Sequence, residues 1–174
     1  MLETPDDLAR LQGLLDASHG RATEHLRSII REERVLTAAH VAGLLTGMKV
    51  VSVATVTAQG APRISAMDGH FLHGRWTVST DGGAAKARHM MARPAVSIAH
   101  VDGEEFAVFS HGRVERMRPP DPDWTQTLDH WTAFYGASPL SWGEDIHIFR
   151  YHPHWMVAYA ANRSELLASR GGAS

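Results

Sequence analysis

The chain has no cysteine. That excludes disulfides, thiolate nucleophiles and cysteine-held zinc or iron–sulfur centres, and it suits a reducing compartment, so a cytoplasmic location is expected. Excess charge is lacking too: 17 basic residues face 19 acidic ones, for a formal net charge of −2. No global field therefore draws the protein to nucleic acid or to an anionic membrane, and any anion site must be local. No apolar run is long enough to span a bilayer. The opening MLETPDDLARL carries acids where a signal peptide carries a basic segment, so none is expected. GxSxG, HExxH, GxxxxGK[ST] and a complete GxGxxG are all absent, which removes support for nucleophilic hydrolysis, zinc peptidase activity and P-loop phosphoryl transfer. Lysine is scarce: only Lys49 and Lys86 stand among the 17 basic residues, a bias expected of GC-rich coding.

What is present is ordinary globular sequence, 44% hydrophobic and 21% charged over 174 residues, enough for one packed core. Thr4, Pro5 and Asp7 make a capping-box start for a helix with Leu8, Leu11, Leu14 and Leu15 on one face. Leu26, Ile29 and Ile30 suit a second helix. Val41, Leu44 and Leu45 suit a third, from Thr37 to Gly47. Residues 1–46 thus read as an N-terminal helical extension.

From Lys49 the period changes. Strands are predicted over 49–57, 61–68, 70–73, 75–80, 95–101, 105–117, 146–151 and 155–160, with turns at 58–60, Gly74 and 102–103 and a bulge or bend at Gly112. One late helix is predicted over 119–136, with Trp124, Leu128, Trp131 and Tyr135 as its packed face, and the tail from Ser169 is expected to fray. Residues 47–174 are therefore mainly β (α+β), an antiparallel barrel of six or seven short strands.

Chemistry concentrates in Ser79–Pro94, STDGGAAKARHMMARP. Ser79 and Thr80 offer hydroxyl donors at a strand end, and Gly82 and Gly83 let the backbone approach a ligand closely. A helix start then brings unpaired N–H groups, a compact cation at Lys86 and a bidentate one at Arg88. Those parts suit a phosphate or a solvated cationic turn equally. Histidine is abundant, 12 residues, but His152-Pro-His154 and Glu144–His147 lack metal-ligand spacing, and no metal site is expected.

In order, "VVSVATVTAQGAPRISAMDG", "GRWTVSTDGGAAKARHMMARPAVSIAHVDG" and "FAVFSHGRVERM" resemble the split-barrel superfamily of pyridoxamine-phosphate oxidase and the related flavin and deazaflavin reductases. The resemblance covers Lys49 to Met117, with weaker support to Ala160. It implies a homodimeric split barrel with cofactor at the subunit interface. Arg63, Ile64 and Ser65 would lie along the cofactor ring, Ser79 and Thr80 would contact its phosphate and sugar-alcohol chain, and Lys86 and Arg88 would bind the phosphate. His89 departs from the asparagine that often follows. Partner residues near Trp142 or Trp155 would complete the site. The implied function is an oxidoreductase using FMN or the phosphorylated deazaflavin coenzyme, passing hydride to or from a small planar organic substrate. The alternative is a non-catalytic split-barrel protein holding heme or flavin for storage, sensing or protection, with His73, His100 and His111 as axial candidates. A barrel whose cofactor site has decayed is a third reading.

Overall fold

The computed structural model describes residues 2–171. Helix α1 (Pro5–Gly20) begins with the predicted capping box, Thr4 and Asp7 each satisfying the other's backbone N–H. Helix α2 (Glu24–Ile29) buries none of its own residues, and Ile29 is exposed where a packed face was expected, although Ile30 just beyond it is buried. Helix α3 (Ala38–Leu44) buries Val41 and Leu44 as predicted.

Six strands follow: β1 (Met48–Val56), β2 (Pro62–Leu72), β3 (Arg75–Asp81), β4 (Ala95–Asp102), β5 (Phe106–Arg116) and β6 (Ile146–Ala160). They close a barrel in the order β1-β2-β3-β6-β5-β4, with every neighbouring pair antiparallel. Helix α4 (Ala85–Ala92) lies between β3 and β4, α5 (Trp124–Tyr135) between β5 and β6, and α6 (Arg163–Gly171) follows β6.

Two predicted breaks are not breaks. β2 runs straight through Gly69, whose missing side chain leaves room for the Trp76 indole and Val51, each a little over 3 Å from where a Cβ would stand. β6 runs through Pro153, where the register against β5 shifts between His111 and Gly112. Gly112 is required there, since a Cβ would fall 2.3 Å from the His152 carbonyl. The predicted bulge is therefore real. The late helix starts at Trp124 rather than at Pro119, and a helix, α6, reaches Gly171 where fraying was expected; residues 172–174 lie outside the described residues.

The barrel interior takes Val51, Val53, Phe71, Trp76, Val78, Ile98, Val108, Phe149, Tyr151 and Met156, and Leu11, Leu15 and Val41 from the preceding helices, with Leu36 from the connection between α2 and α3, belong to the same apolar cluster. The outer wall divides in two. Over the ends of β2 and β6, α5 lays down its predicted stripe, so Trp131 joins Leu72, Met117 and Ile148 while Trp124, Leu128 and Tyr135 pack against them. On the wall of β4, β1 and β2, Val50, Ile64 and Val101 are exposed among the described residues.

His70 is the polar centre of the α5 contact. Fully buried, it places Nδ1 3.2 Å from His130 Nε2 and Nε2 3.1 Å from the Tyr135 hydroxyl. Burial, and then the neighbouring His130, push its pKa down to about 4. The unfolded chain takes up this proton first as pH falls below about 6.5, so stability is intact above that value and is lost toward pH 4. We expect urea midpoints of the native protein to fall across that window, with His70 contributing about 3 kcal/mol. His70→Phe should flatten the decline, and an unchanged slope would contradict the assignment.

Candidate functional site

The β2–β3 ladder is short. Only Gly69–Leu72 of β2 pair with Arg75–Val78 of β3, whereas β1 pairs with β2 all the way from Pro62 to His70. From Pro62 to Asp68, β2 thus has a ladder on one side only, and the backbone groups on its other edge need water, another chain or a ligand as partners. Beyond Val78, β3 turns to β6 alone, pairing Ser79 with Ile148, Thr80 with His147 and Asp81 with Ile146. The wall therefore splits between the Pro62–Asp68 edge of β2 and the Ser79–Asp81 end of β3. Arg63 and Ile64 are exposed, and Ser65, Ser79 and Thr80 are half-buried.

At the end of β3 the chain turns tightly. Ala84 N donates to the Asp81 carbonyl at 3.0 Å, Gly83 N to Asp81 Oδ1 at 2.7 Å and Gly82 N to the Asp145 carbonyl at 2.7 Å. At Gly82 a Cβ would stand 2.1 Å from Asp145 Oδ2 and 2.6 Å from His147 Nε2, so any side chain there would have to displace these two. The close approach that the glycine permits is used by this chain's own β6, and both glycine amides are already bonded. The predicted glycine cradle is thereby replaced by another donor set, the first turn of α4. Ala84 caps that helix with no side-chain bond, and its carbonyl takes the Arg88 N–H. The amides of Ala85, Lys86 and Ala87 precede that bond and have no acceptor within the helix.

Lys86 is half-buried beside these amides, and the Arg88 guanidinium folds back onto the Gly83 carbonyl. Neither cation, nor Arg63, has a carboxylate partner within 4 Å among the described residues. Two acids border the turn: Asp81 accepts the Gly83 N–H, and the Asp145 carboxylate sits 3.0 Å from His147 Nε2 and 3.6 Å from Arg116. An anion is accordingly favoured at the helix end and disfavoured across the turn.

Sequence reasoning missed what holds α4 in place. His89 Nδ1 lies 3.1 Å from the hydroxyl of buried Thr55, and Thr55 is the cross-strand partner of Arg63. Arg93 Nε donates to the Val56 carbonyl at 2.8 Å. The helix carrying Lys86 and Arg88 is thus pinned to β1, the strand that pairs with β2. His89, the residue that departs from the family pattern, is one of the pins.

The histidines separate clearly. His73 is engaged at both ring nitrogens, by Asp7 and Gln126, each at 3.1 Å. His100 bonds the Val50 carbonyl through Nδ1 and leaves Nε2 buried without a partner. His111 bonds Ser97 through Nδ1, stacks on Trp155 with centroids 4.7 Å apart, and lines two adjoining grooves with His154 on the outer wall. Trp142 instead stacks on Trp131 beside α5. Among the described residues no three His, Asp or Glu side chains converge on a metal position, and no helix is long and apolar enough to cross a membrane.

The model of the pyridoxamine 5'-phosphate oxidase family matches residues 23–156. Comparison with curated proteins finds no match. Among solved structures, the conserved hypothetical protein Rv2991 of Mycobacterium tuberculosis superposes with TM-score 0.62 at 18% identity, over 75% of this chain and 88% of that one. The heme storage protein HutZ of Vibrio cholerae gives 0.57 at 22%, over 64% and 86%. An FAD-binding protein of Mesorhizobium loti gives 0.56 at 20%, over 72% and 94%. At these identities the likeness is one of fold.

Removing the Thr55–His89 contact tests the pinning. His89→Ala should lower the unfolding free energy measured by denaturant titration by about 1–2 kcal/mol, because the buried hydroxyl loses its partner. The same change made on a Thr55→Val background should cost clearly less; equal costs would show that the contact does not hold α4.

Proposed function

The chain belongs to the pyridoxamine 5'-phosphate oxidase family, and on that premise we propose that it is an oxidoreductase that uses FMN or the phosphorylated deazaflavin coenzyme on a small planar organic substrate. The observation that carries the reading is the split itself: β2 has a ladder on one side only from Pro62 to Asp68, β3 leaves it after Val78, just ahead of Ser79 and Thr80, and α4 starts uncapped a few residues further on. That donor set fits the group. Amides at Ala85–Ala87 with Lys86 and Arg88 suit a phosphate, and the free backbone edge suits the polar rim of a flat ring system.

The bound cofactor would supply the hydride chemistry, which needs no side-chain acid or base. The chain's own work would be to hold and orient. Lys86 and the α4 amides would fix the phosphate, Ser79 and Thr80 would bond the sugar-alcohol chain, and β2 would present Ile64 and Ser65 backbone groups to the ring. Strict pyridoxamine-phosphate oxidase activity draws no support from Arg170, which is bonded to Asp102 and Glu105 at 2.7 Å each rather than free for a substrate phosphate.

A homodimer is part of the proposal. The wall of β4, β1 and β2 exposes Val50, Ile64 and Val101 around small residues such as Ala54, Ala66 and Ala99. A second copy seated there would cover Ile64 and bring partner residues to the split.

One observation favours a second reading. His111 offers an Nε2 without a partner among the described residues, above Trp155 in an outer-wall groove, as a heme-holding protein would require. The visible spectrum of the purified protein separates the two readings. Lys86→Ala with Arg88→Ala should weaken FMN or the deazaflavin coenzyme about a hundredfold and the dephosphorylated analogue only slightly. Equal losses would refute the phosphate assignment, and a heme spectrum abolished by His111→Ala would replace the reading.

A further inference from the structure

Beyond the split, α4 and the end of β5 enclose a groove of about 480 Å³ whose lining is unlike that of the proposed cofactor site. Its floor is apolar: Met90, Val114 and Phe149 are buried there, with Pro94 and Pro120 as walls and Met91 exposed at the rim. Arg116 and Arg118 stand over this floor. Its volume falls in the range of small-molecule sites, and flexible methionines adapt to irregular apolar ligands.

The groove is lined by two carboxylates, Glu115 and Asp121, and two guanidinium groups, Arg116 and Arg118, but the carboxylates have other partners. The Glu115 carboxylate is taken by His152 at 3.0 Å, with Arg150 at 3.9 Å. Asp121 accepts the backbone N–H of Arg118 at 2.8 Å, a bond that closes the turn after β5. Arg116 reaches only Asp145, at 3.6 Å and largely solvated, which is worth little. The Arg118 side chain has no ion pair among the described residues. Two guanidinium groups without a close carboxylate partner therefore stand beside a floor of buried apolar side chains, with Met91 exposed at its rim.

We propose that this groove binds an amphipathic organic acid, its carboxylate held by Arg116 and Arg118 and its apolar part laid over Met90, Met91, Val114 and Phe149. A guanidinium fork matches a carboxylate bidentately, and two of them give preference over a neutral head of the same size. The floor sets the complementary demand, since a fully polar acid would leave it wet. The site shares α4 with the split but none of the residues assigned to the cofactor, so the two stand or fall separately.

Octanoate and octanamide are the probes, measured by calorimetry on the full chain as purified. Octanoate should bind one per chain and octanamide about tenfold more weakly. Arg116→Ala with Arg118→Ala, both at exposed or half-exposed positions, should weaken octanoate about tenfold or more while leaving the thermal midpoint and flavin affinity unchanged. Met91→Glu, which sets a carboxylate on the rim, should weaken it as well. No octanoate binding at millimolar concentration, equal affinity for the amide, or undiminished binding in the double variant would each overturn the proposal. Loss of flavin binding in Lys86→Ala/Arg88→Ala with octanoate binding retained would show that the two sites are separate.

Discussion

Everything distinctive about this barrel depends on a mismatch of strand lengths. β2 has 11 residues, and β3 pairs only with its end nearest the hairpin. The mismatch follows from the hairpin. His73 and Gly74 both take positive φ, 54° and 72°, the geometry of a two-residue turn that joins strands with the right twist. From that turn the two strands twist apart after Val78, and β3 continues along β6 instead. An antiparallel barrel normally satisfies every backbone group in its wall; this one leaves a row of β2 unpaired, and the start of α4, a few residues after β3 leaves β2, also lacks its partners. The proposed site joins these two sets of unmet hydrogen-bonding capacity, with cations that have no carboxylate partner.

The rest of the molecule holds that opening in shape. α4 is a short helix and would be marginal alone. It is fixed by Ala87 and Met90, which are buried, by the Thr55–His89 contact and by the bond from Arg93 to β1. On the far wall, α5 seals the other end of β2 through Trp131 and the His70 network. One end of β2 is thus locked by a helix and the other left open, which separates the stabilising part of the strand from the binding part.

Much of this was legible in the sequence, because it rested on local signals. The capping box at Thr4, the period change at Lys49, the bulge at Gly112 and the α5 stripe all follow from short-range rules, and the order of motifs indicated the family. What failed rested on contacts distant in sequence. Gly69 reads as a strand break until Trp76 is seen packed over it. Pro153 reads as a break until its position beside the shift at Gly112 is known. Gly82 and Gly83 look like a phosphate cradle, but Asp145, more than sixty residues on, takes the space and one of the amides. His89 looks like a misfit because nothing local identifies Thr55 as its partner. The short β2–β3 ladder, on which the site depends, has no signal in composition or spacing at all.

The central claim is that the open edge of β2 and the start of α4 form one binding site. It is tested most directly by following backbone amide resonances of isotope-labelled protein during titration with FMN and with the phosphorylated deazaflavin coenzyme. The account predicts that the ligand that binds shifts Ile64, Ser65, Ala85, Lys86 and Ala87 most strongly and together. Shifts confined to Arg21, His111 and Trp155, with those five resonances unmoved in the bound state, would contradict it.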